Sequence, residues 1–191
     1  MTPEQDIDKA VAVLREGGLI LYPTDTVWGI GCDATDPAAV RRVFAVKRRA
    51  DSKALITLVA DVDSLAAHTS VDRETASRMS AEAADGRPTT VIYPGGRSLA
   101  PELLADDGSV GMRLTREAVS SALCRGLGRP LVSTSANISG EPAPAVFKEI
   151  TREILDAVDY VVEARRDDES RSLPSRVVKI ESDGSVRVIR E

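Results

Sequence analysis

The sequence predicts an α/β fold, a twisted and open mixed sheet with helices packed on it. Segments with apolar residues at helical spacing alternate along the chain with short runs rich in Val, Ile and Leu, which favours interleaved helices and strands. The 191 residues are 42% apolar but only 3% aromatic, so aliphatic side chains must fill the core. Because no repeat or long linker divides the chain, we expect a single domain over residues 1–191.

The first helix is the most clearly delimited element. Thr2 suits the N-cap, Pro3 the first helical position and Gln5 the third, which together make a capping box. Gly17 and Gly18 then end the helix.

The same signals place the remaining elements. We expect strands at 19–22, 54–60, 89–95, 109–114, 129–136 and 159–164. We expect further helices at 36–49, 61–68, 72–85, 115–128 and 147–158. A hairpin closes the chain at 175–190, because Asp183-Gly184 is a strong signal for a type I′ turn.

Composition excludes several classes of protein. The net charge of −5 argues against a dedicated nucleic-acid binder, although a local basic patch remains open. The polar N-terminus is unlike a signal peptide, and no apolar run approaches a membrane span. Cys32 and Cys124 lie far apart and suit a reduced compartment. We therefore expect a cytoplasmic protein with no membrane contact.

Two dense polar clusters follow predicted strands, PTDT at 23–26 and STSANISG at 133–140. In α/β sheets, ligands bind in the crevice outside the carboxyl ends of the strands. A single hydroxyl in a turn more often bonds local backbone groups. Two such clusters in one sheet nevertheless favour a shared binding site.

A basic segment, KRRADSK, follows the second helix. Lys47 and Arg49 diverge on a continuous helix and converge only if the helix ends near Lys47. A convergent cationic pair suits the phosphates of a nucleotide triphosphate. The alternative is a surface turn that complements the C-terminal end of the helix dipole.

Several standard catalytic motifs are missing from the sequence. There is no P-loop motif, and GIGCDA at 29–34 trails its strand too far for a dinucleotide site. The only histidine, His68, falls on a helix away from both polar clusters, which disfavours a Ser-His-Asp triad. The charged stretch 164–172 reads best as a solvated loop, and a loop that closes over a ligand is the alternative. The residues alone therefore predict a cleft for a small anionic or zwitterionic ligand and a nucleotide.

The segments YPTDTVWGIGCDA, KRRADSKAL, VGMRL and STSANISG, in this order, resemble the YrdC family of threonylcarbamoyl-AMP synthases. The resemblance runs from Gly17 to Arg190. It implies a concave cationic pocket and synthesis of threonylcarbamoyl-AMP from L-threonine, bicarbonate and ATP with Mg²⁺. It also implies delivery of the product to the tRNA threonylcarbamoyl-transferase machinery, which modifies the adenosine beside the anticodon of ANN-reading tRNAs. The family has been described as binding double-stranded RNA, so RNA contact is a further expectation.

The resemblance also implies the site residues, position by position. The catalytic pair, expected at the ATP phosphates, is Lys47 and Arg49. The residues expected at the substrate threonine are Thr24, Thr26, Arg113, Ser133 and Ser175, with Arg113 on its carboxylate. Further contacts to ATP are expected from Lys53, Ser109, Ser135, Asn137 and Arg190. No metal ligand from the protein is expected.

Two other functions remain as alternatives. A related branch keeps the fold without evident synthase activity, but it loses the KxR and SxN signatures, which this chain keeps at Lys47-x-Arg49 and Ser135-x-Asn137. An RNA-binding or ribosome-assembly factor is the second alternative, and the net charge of −5 counts against it. Asp25 has no assigned role at this point, because it could simply cap its turn.

Overall fold

One mixed sheet organises the computed structural model, which describes residues 1–48, 55–82, 86–172 and 174–191. Within those ranges the strands are β1 (Ile20–Tyr22), β2 (Gly29–Gly31), β3 (Ile56–Val59), β4 (Thr89–Tyr93), β5 (Val110–Leu114), β6 (Leu131–Ser135), β7 (Tyr160–Val161), β8 (Arg176–Ile180) and β9 (Val186–Arg190). Their order across the sheet is β7-β1-β2-β6-β3-β5-β4-β8-β9.

Helices pack on both faces of this sheet. The α-helices are α1 (Pro3–Arg15), α2 (Pro37–Val46), α3 (Val62–Ala67), α4 (Arg73–Glu82), α5 (Ala118–Leu127) and α6 (Arg152–Asp156). Short 3-10 helices span Pro101–Leu103 and Phe147–Glu149. In the described part of the chain, no helix is long and apolar enough to cross a membrane.

The sheet topology brings the two polar turns to the same edge. β2 is antiparallel to both β1 and β6, so β1 and β6 run in the same direction. The parallel neighbours are β1 with β7, β3 with β5, and β4 with β8. The turn after β1 and the turn after β6 therefore leave the sheet on the same side, as the sequence predicts.

One face of the sheet is covered by α1 and α5 over only part of its area. Leu58 of β3 and Leu131 of β6 pack there against Leu123 of α5. Side chains two residues apart on a strand share a face. Ile56 and Ser133 therefore project from the same face, and they line a cavity beside the helices.

The opposite face is covered by two apolar clusters from β1 to β8, whereas the edge strand β9 is exposed. The helix α2 packs there through Val40, Val43 and Phe44, over Leu21 and Ile30 of the first two strands. The helices α3 and α4 cover the other half with Leu65, Ala76 and Met79, over Val91 and Met112. The closed face supplies most of the core, and the half-open face carries the cavity.

The predicted capping box of α1 is confirmed, and α2 is capped as well. Thr2 accepts a hydrogen bond from the Gln5 amide, and the Gln5 side chain accepts one from the Thr2 amide. Asp36 caps α2 by accepting from the backbone of Ala38 and Ala39. The helix α2 ends at Val46 with Lys47 as its C-cap, which is the early ending that the basic segment requires.

Three local predictions are wrong. The segment 147–158 is not one helix, because Thr151 caps a new helix and separates α6 from the preceding 3-10 turn. The strand expected at 159–164 pairs only over Tyr160–Val161. The closing hairpin forms, but Gly184 alone has a positive φ, so a three-residue loop between Glu181 and Ser185 replaces the type I′ turn.

The strand β2 is an element that the sequence prediction missed, because its Gly-Ile-Gly composition carries little strand signal. Gly31 leaves room for the side chain of Tyr22, whereas Gly29 has space for a methyl group. A Cβ on Gly31 would lie 2.6 Å from Tyr22 Cε1 and 2.9 Å from the Val132 carbonyl oxygen. A Cβ on Gly29 would meet Ser133 Oγ and Thr24 Cγ2 at 3.4 Å, which is ordinary contact.

The two glycines of β2 make a matched pair for a stability test. Gly31→Ala should lower the free energy of unfolding by about 1–3 kcal/mol, because the new methyl group overlaps the buried Tyr22 ring. Gly29→Ala should cost less than about 1 kcal/mol, because its methyl group fits without displacing neighbours. Urea unfolding of both variants checks the difference, and equal losses would contradict the close packing of Tyr22 against β2.

Candidate active site

A cavity of about 310 Å³ opens on the half-covered face of the sheet. Its polar lining consists of Thr26, Arg113, Ser133, Thr134, Ser135, Ser175 and Arg190. Apolar contacts come from Val27, Leu55 and Ile56. Six residues predicted from the sequence are thus brought together. The cavity lies over the sheet face as well as the strand ends, because Arg113 and Ser133 belong to the strands themselves.

Arg113 is the most unusual residue of this cavity. Its side chain is only 3% exposed although it carries a full charge. Burial lowers the pKa of the guanidinium, and the neighbouring carboxylate of Asp25 opposes that shift. The Arg113 Nε atom is buried without a hydrogen-bond partner among the described residues. The guanidinium therefore keeps donors that the protein does not use.

Asp25, to which the sequence assigns no role, is the carboxylate that pairs with Arg113. Its Oδ1 atom lies 2.8 Å from Arg113 Nη2, close enough for an ion pair although the angles do not make a hydrogen bond. Burial raises the pKa of Asp25, and Arg113 counteracts this rise. The only signal in the sequence was an acidic residue in a turn at the same sheet edge as a predicted anion-binding arginine.

Thr24 is buried beneath the cavity and does not line it. Its hydroxyl donates to the Val27 carbonyl at 2.7 Å and accepts from the Thr26 amide at 3.0 Å. The hydroxyl of Thr26 lies 3.0 Å from that of Thr24 and faces the cavity. Thr24 thus shapes the turn, and Thr26 lines the cavity.

Lys47 anchors the turn that follows β6. Its side chain is buried, and Nζ donates to the carbonyl oxygens of Ser135 at 2.6 Å and Asn137 at 2.8 Å. The Lys47 carbonyl accepts from the Ser139 amide at 2.9 Å. Asn137 donates through Nδ2 to the carbonyls of Ile138 and Glu141. These contacts fix the shape of the turn, and neither Lys47 nor Asn137 lines the cavity.

The far wall of the cavity comes from the closing hairpin. Arg190 on β9 donates to the Ser175 carbonyl at 2.7 Å through Nη2. The Ser175 hydroxyl lies 3.1 Å from the hydroxyl of Thr90 and is buried. Two predicted residues that are distant from the rest in sequence therefore face Arg113 across the cavity.

Ser109, a predicted ATP contact, does not line the cavity. The Ser109 hydroxyl donates to Asp107 Oδ1 at 2.5 Å, and Lys179 binds the other oxygen of Asp107 at 2.7 Å. This pairing holds the pKa of Asp107 well below its usual range. Arg49 and Lys53 lie outside the described residues, as do the positions between them.

The charged segment 164–172 packs on the turn that carries Thr24 and Asp25. Arg165 donates to the Thr24 carbonyl at 3.1 Å. Further along, Glu169 pairs with Lys148 at 2.7 Å. The segment is a largely exposed loop, as the first sequence interpretation predicts, and Arg165 attaches it to the turn outside the cavity lining.

The lining suits anionic ligands and offers no evident nucleophile. Its charged members, within the described residues, are the two arginines Arg113 and Arg190. His68 contacts the Ser64 carbonyl on α3, and both cysteines are buried in the apolar clusters. The described part of the chain holds no group of three His, Cys, Asp or Glu side chains suited to a metal ion. Such a site can bind carboxylates and phosphates and position them for reaction with each other.

Known proteins are similar to this chain in sequence and in fold. The Sua5/yciO/yrdC family model, described as telomere recombination, matches residues 12–191. A curated threonylcarbamoyl-AMP synthase from Xanthomonas euvesicatoria is 38% identical over 164 residues, which cover 85% of this chain and 88% of that protein.

Two solved structures extend the comparison. P. abyssi Sua5 complexed with L-threonine superposes with a TM-score of 0.84 and 25% identity over 98% of this chain, which spans only 54% of that protein. E. coli YciO superposes with a TM-score of 0.80 and 26% identity, covering 100% of this chain and 90% of that one. Because the family model matches almost the whole chain and the curated relative exceeds 30% identity, the chain belongs to the Sua5/YciO/YrdC family.

Proposed function

We propose that this protein is an L-threonylcarbamoyladenylate synthase, which converts L-threonine, bicarbonate and ATP to threonylcarbamoyl-AMP and pyrophosphate. The observation that carries the proposal is the cavity itself, where a buried arginine with unused donors faces a ring of hydroxyls. The name of the curated relative and the threonine complex of P. abyssi Sua5 support the same activity.

The threonine subsite forms around Arg113. A guanidinium with free N–H groups can pair with the substrate carboxylate through two parallel hydrogen bonds. The hydroxyls of Thr26, Ser133 and Ser175 line the same cavity and suit the hydroxyl and amino groups of threonine. A site that hydrogen-bonds a substrate hydroxyl rejects analogues that lack it, because its own polar groups would stay unpaired.

The ATP subsite takes the remaining cationic and polar groups. Arg190 and Ser135 line the cavity and suit the nucleotide phosphates. The family resemblance adds Arg49 and Lys53. It also implies Lys47, Ser109 and Asn137, which do not line this cavity in the structure. Mg²⁺ arrives with ATP as part of the substrate complex and neutralises phosphate charge.

The chemistry needs positioning more than a reactive side chain. The threonine amine and bicarbonate combine to a carbamate with loss of water. A carbamate oxygen then attacks the α-phosphorus of ATP, and the bond to the departing pyrophosphate breaks. The protein contributes by aligning the two anions and stabilising the charge that develops on the phosphate.

The product is an activated acyl adenylate, which suits transfer of the threonylcarbamoyl group to the adenosine beside the anticodon in tRNA. The downstream tRNA threonylcarbamoyl-transferase machinery is the partner that we propose, in the cytoplasm. An RNA-binding role without synthase activity is less favoured, since the net charge is −5 and the relative is named as a synthase.

The reaction itself is the first test. Incubation with ATP, Mg²⁺, bicarbonate and L-threonine should release pyrophosphate, and omission of any of the three substrates should stop the release. The measurement is coupled pyrophosphate detection with mass spectrometry of the adenylate. A correctly folded protein that releases no pyrophosphate under these conditions would sink the proposal.

Arg113 is the second test. Arg113→Lys keeps the charge but cannot form two parallel hydrogen bonds, so kcat/KM for threonine should fall about 100-fold or more. Arg113→Ala should lower kcat/KM for threonine further. Because this variant leaves Asp25 without its counterion, circular dichroism is recorded in parallel to check that it folds. The control is Arg129→Ala, which removes an arginine paired with Asp33 at 2.7 Å outside the cavity lining. Full activity of Arg113→Lys would show that the carboxylate binds elsewhere.

Lys47 is the third test, because the structure gives this lysine an anchoring role. Lys47→Met removes the ammonium from two carbonyl oxygens, and the free energy of unfolding should fall by about 1–3 kcal/mol together with the activity. The control is Lys148→Met, an exposed lysine on the protein surface, for which we expect a loss under about 0.5 kcal/mol. A Lys47→Met protein of wild-type stability would contradict the anchoring role seen in the structure.

A further inference from the structure

Asp25 reaches Arg113 from outside the substrate cavity. Asp25 is not part of the lining of that cavity, whereas Arg113 is. Asp25 instead borders a separate cavity of about 220 Å³, together with Met112 and Leu114 of β5. Because successive residues of a strand point to opposite faces, Met112 and Leu114 lie on the face opposite Arg113. The carboxylate thus meets the guanidinium at the boundary between two cavities.

The structure records one ion-pair contact between the two side chains. Asp25 Oδ1 lies 2.8 Å from Nη2, and no other carboxylate forms an ion pair with Arg113 in the described residues. Two more charged side chains lie near Asp25, Glu117 and Arg165, but they pair with each other at 3.3 Å. Arg190, across the cavity, is a like charge that repels Arg113. Asp25 is therefore the group that can hold the guanidinium in place electrostatically.

A single contact leaves most of the arginine available. The guanidinium has five N–H donors in a rigid plane, and fixing one nitrogen restricts the orientation of the whole fork. The buried Nε has no partner among the described residues. A carboxylate ligand needs two parallel N–H groups at a defined angle.

We propose that Asp25 is a positioning residue, which holds Nη2 of Arg113 from outside the cavity and aims its remaining N–H groups at the carboxylate of the amino-acid substrate. This inference rests on the proposed function, because the substrate carboxylate is that of L-threonine. It gives the aspartate of the PTDT turn a role distinct from that of its neighbours. Thr24 shapes the turn, Thr26 faces the cavity, and Asp25 orients the arginine.

The variant Asp25→Asn tests this role, because it keeps the shape of the side chain and removes its charge. The KM for L-threonine and the dissociation constant of L-threonine measured by calorimetry should both rise about 10-fold to 100-fold, as expected when a binding group loses its alignment. The KM for ATP should stay within about twofold of the wild-type value. This difference between the two substrates is a result that a merely structural role would not produce.

The matched control is Asp33→Asn. Asp33 is also a buried aspartate paired with an arginine, at 2.7 Å, but it does not line the substrate cavity. The Asp33→Asn protein should be less stable than the wild type and should bind threonine with unchanged affinity. If Asp33→Asn weakens threonine binding as much as Asp25→Asn, or if Asp25→Asn raises both KM values equally, the positioning role is wrong.

A second background shows whether Asp25 acts through Arg113. In an Arg113→Lys protein, Asp25→Asn should change the threonine affinity by no more than about threefold. The reason is that this protein no longer has the planar guanidinium that Asp25 would orient. The full effect in that background would mean that Asp25 touches the substrate itself, and would overturn the inference. If Asp25→Asn does not fold, Asp25→Glu, which displaces the carboxylate by one methylene, should still raise the KM for threonine selectively.

The same calorimetry distinguishes a failure of the proposed function from a failure of the positioning role of Asp25. Wild-type protein that fails to bind L-threonine would overturn the proposed function and this inference with it. Wild-type protein that binds L-threonine, beside an Asp25→Asn protein that binds it equally well, would overturn only the role of Asp25.

Discussion

The buried charge of Arg113 is the constraint on which the rest of the site depends. Removing a guanidinium from water costs several kcal/mol after relaxation, even in a protein that can adapt around it. The strand that carries it lies inside the sheet, between β3 and β4, so its backbone is held on both sides. The ion pair with Asp25 and the polar cavity offset this cost. The turn after β1 must therefore keep Asp25 in one place.

The supporting contacts explain why so many polar side chains near the site do not face it. The Thr24 hydroxyl is occupied by the backbone of its own turn, and Arg165 holds the Thr24 carbonyl from the other side. Lys47 holds the turn after β6 in the same way, through two carbonyl oxygens. Polar groups that the protein already satisfies define the shape of the cavity, whereas the guanidinium of Arg113 keeps at least one donor, the buried Nε, without a partner among the described residues.

Much of this arrangement was predictable from the sequence, and the failures have physical causes. The caps at Thr2 and Asp36 were predictable because capping depends on a few adjacent residues. β2 was not, because a Gly-Ile-Gly segment carries little strand propensity, and Gly31 is explained only by the close approach of the Tyr22 ring. The set of site residues was predicted from the family resemblance. The separation of Thr24 from Thr26, and the pairing of Asp25 with Arg113, depend on tertiary contacts that no sequence spacing reveals.

The position of the cavity on a sheet face suits a reaction that relies on alignment. Arg113 and Ser133 lie inside strands, where ladder hydrogen bonds to both neighbouring strands fix the backbone. The helices α1 and α5 stop short of this area. On the same face of β6, Leu131 therefore packs in the core and Ser133, two residues further along, lines the cavity. Side chains presented from such a surface can hold two anionic substrates at a fixed distance without a covalent intermediate. In the proposed reaction the substrates supply the reactive atoms, so what it requires of this sheet face is alignment.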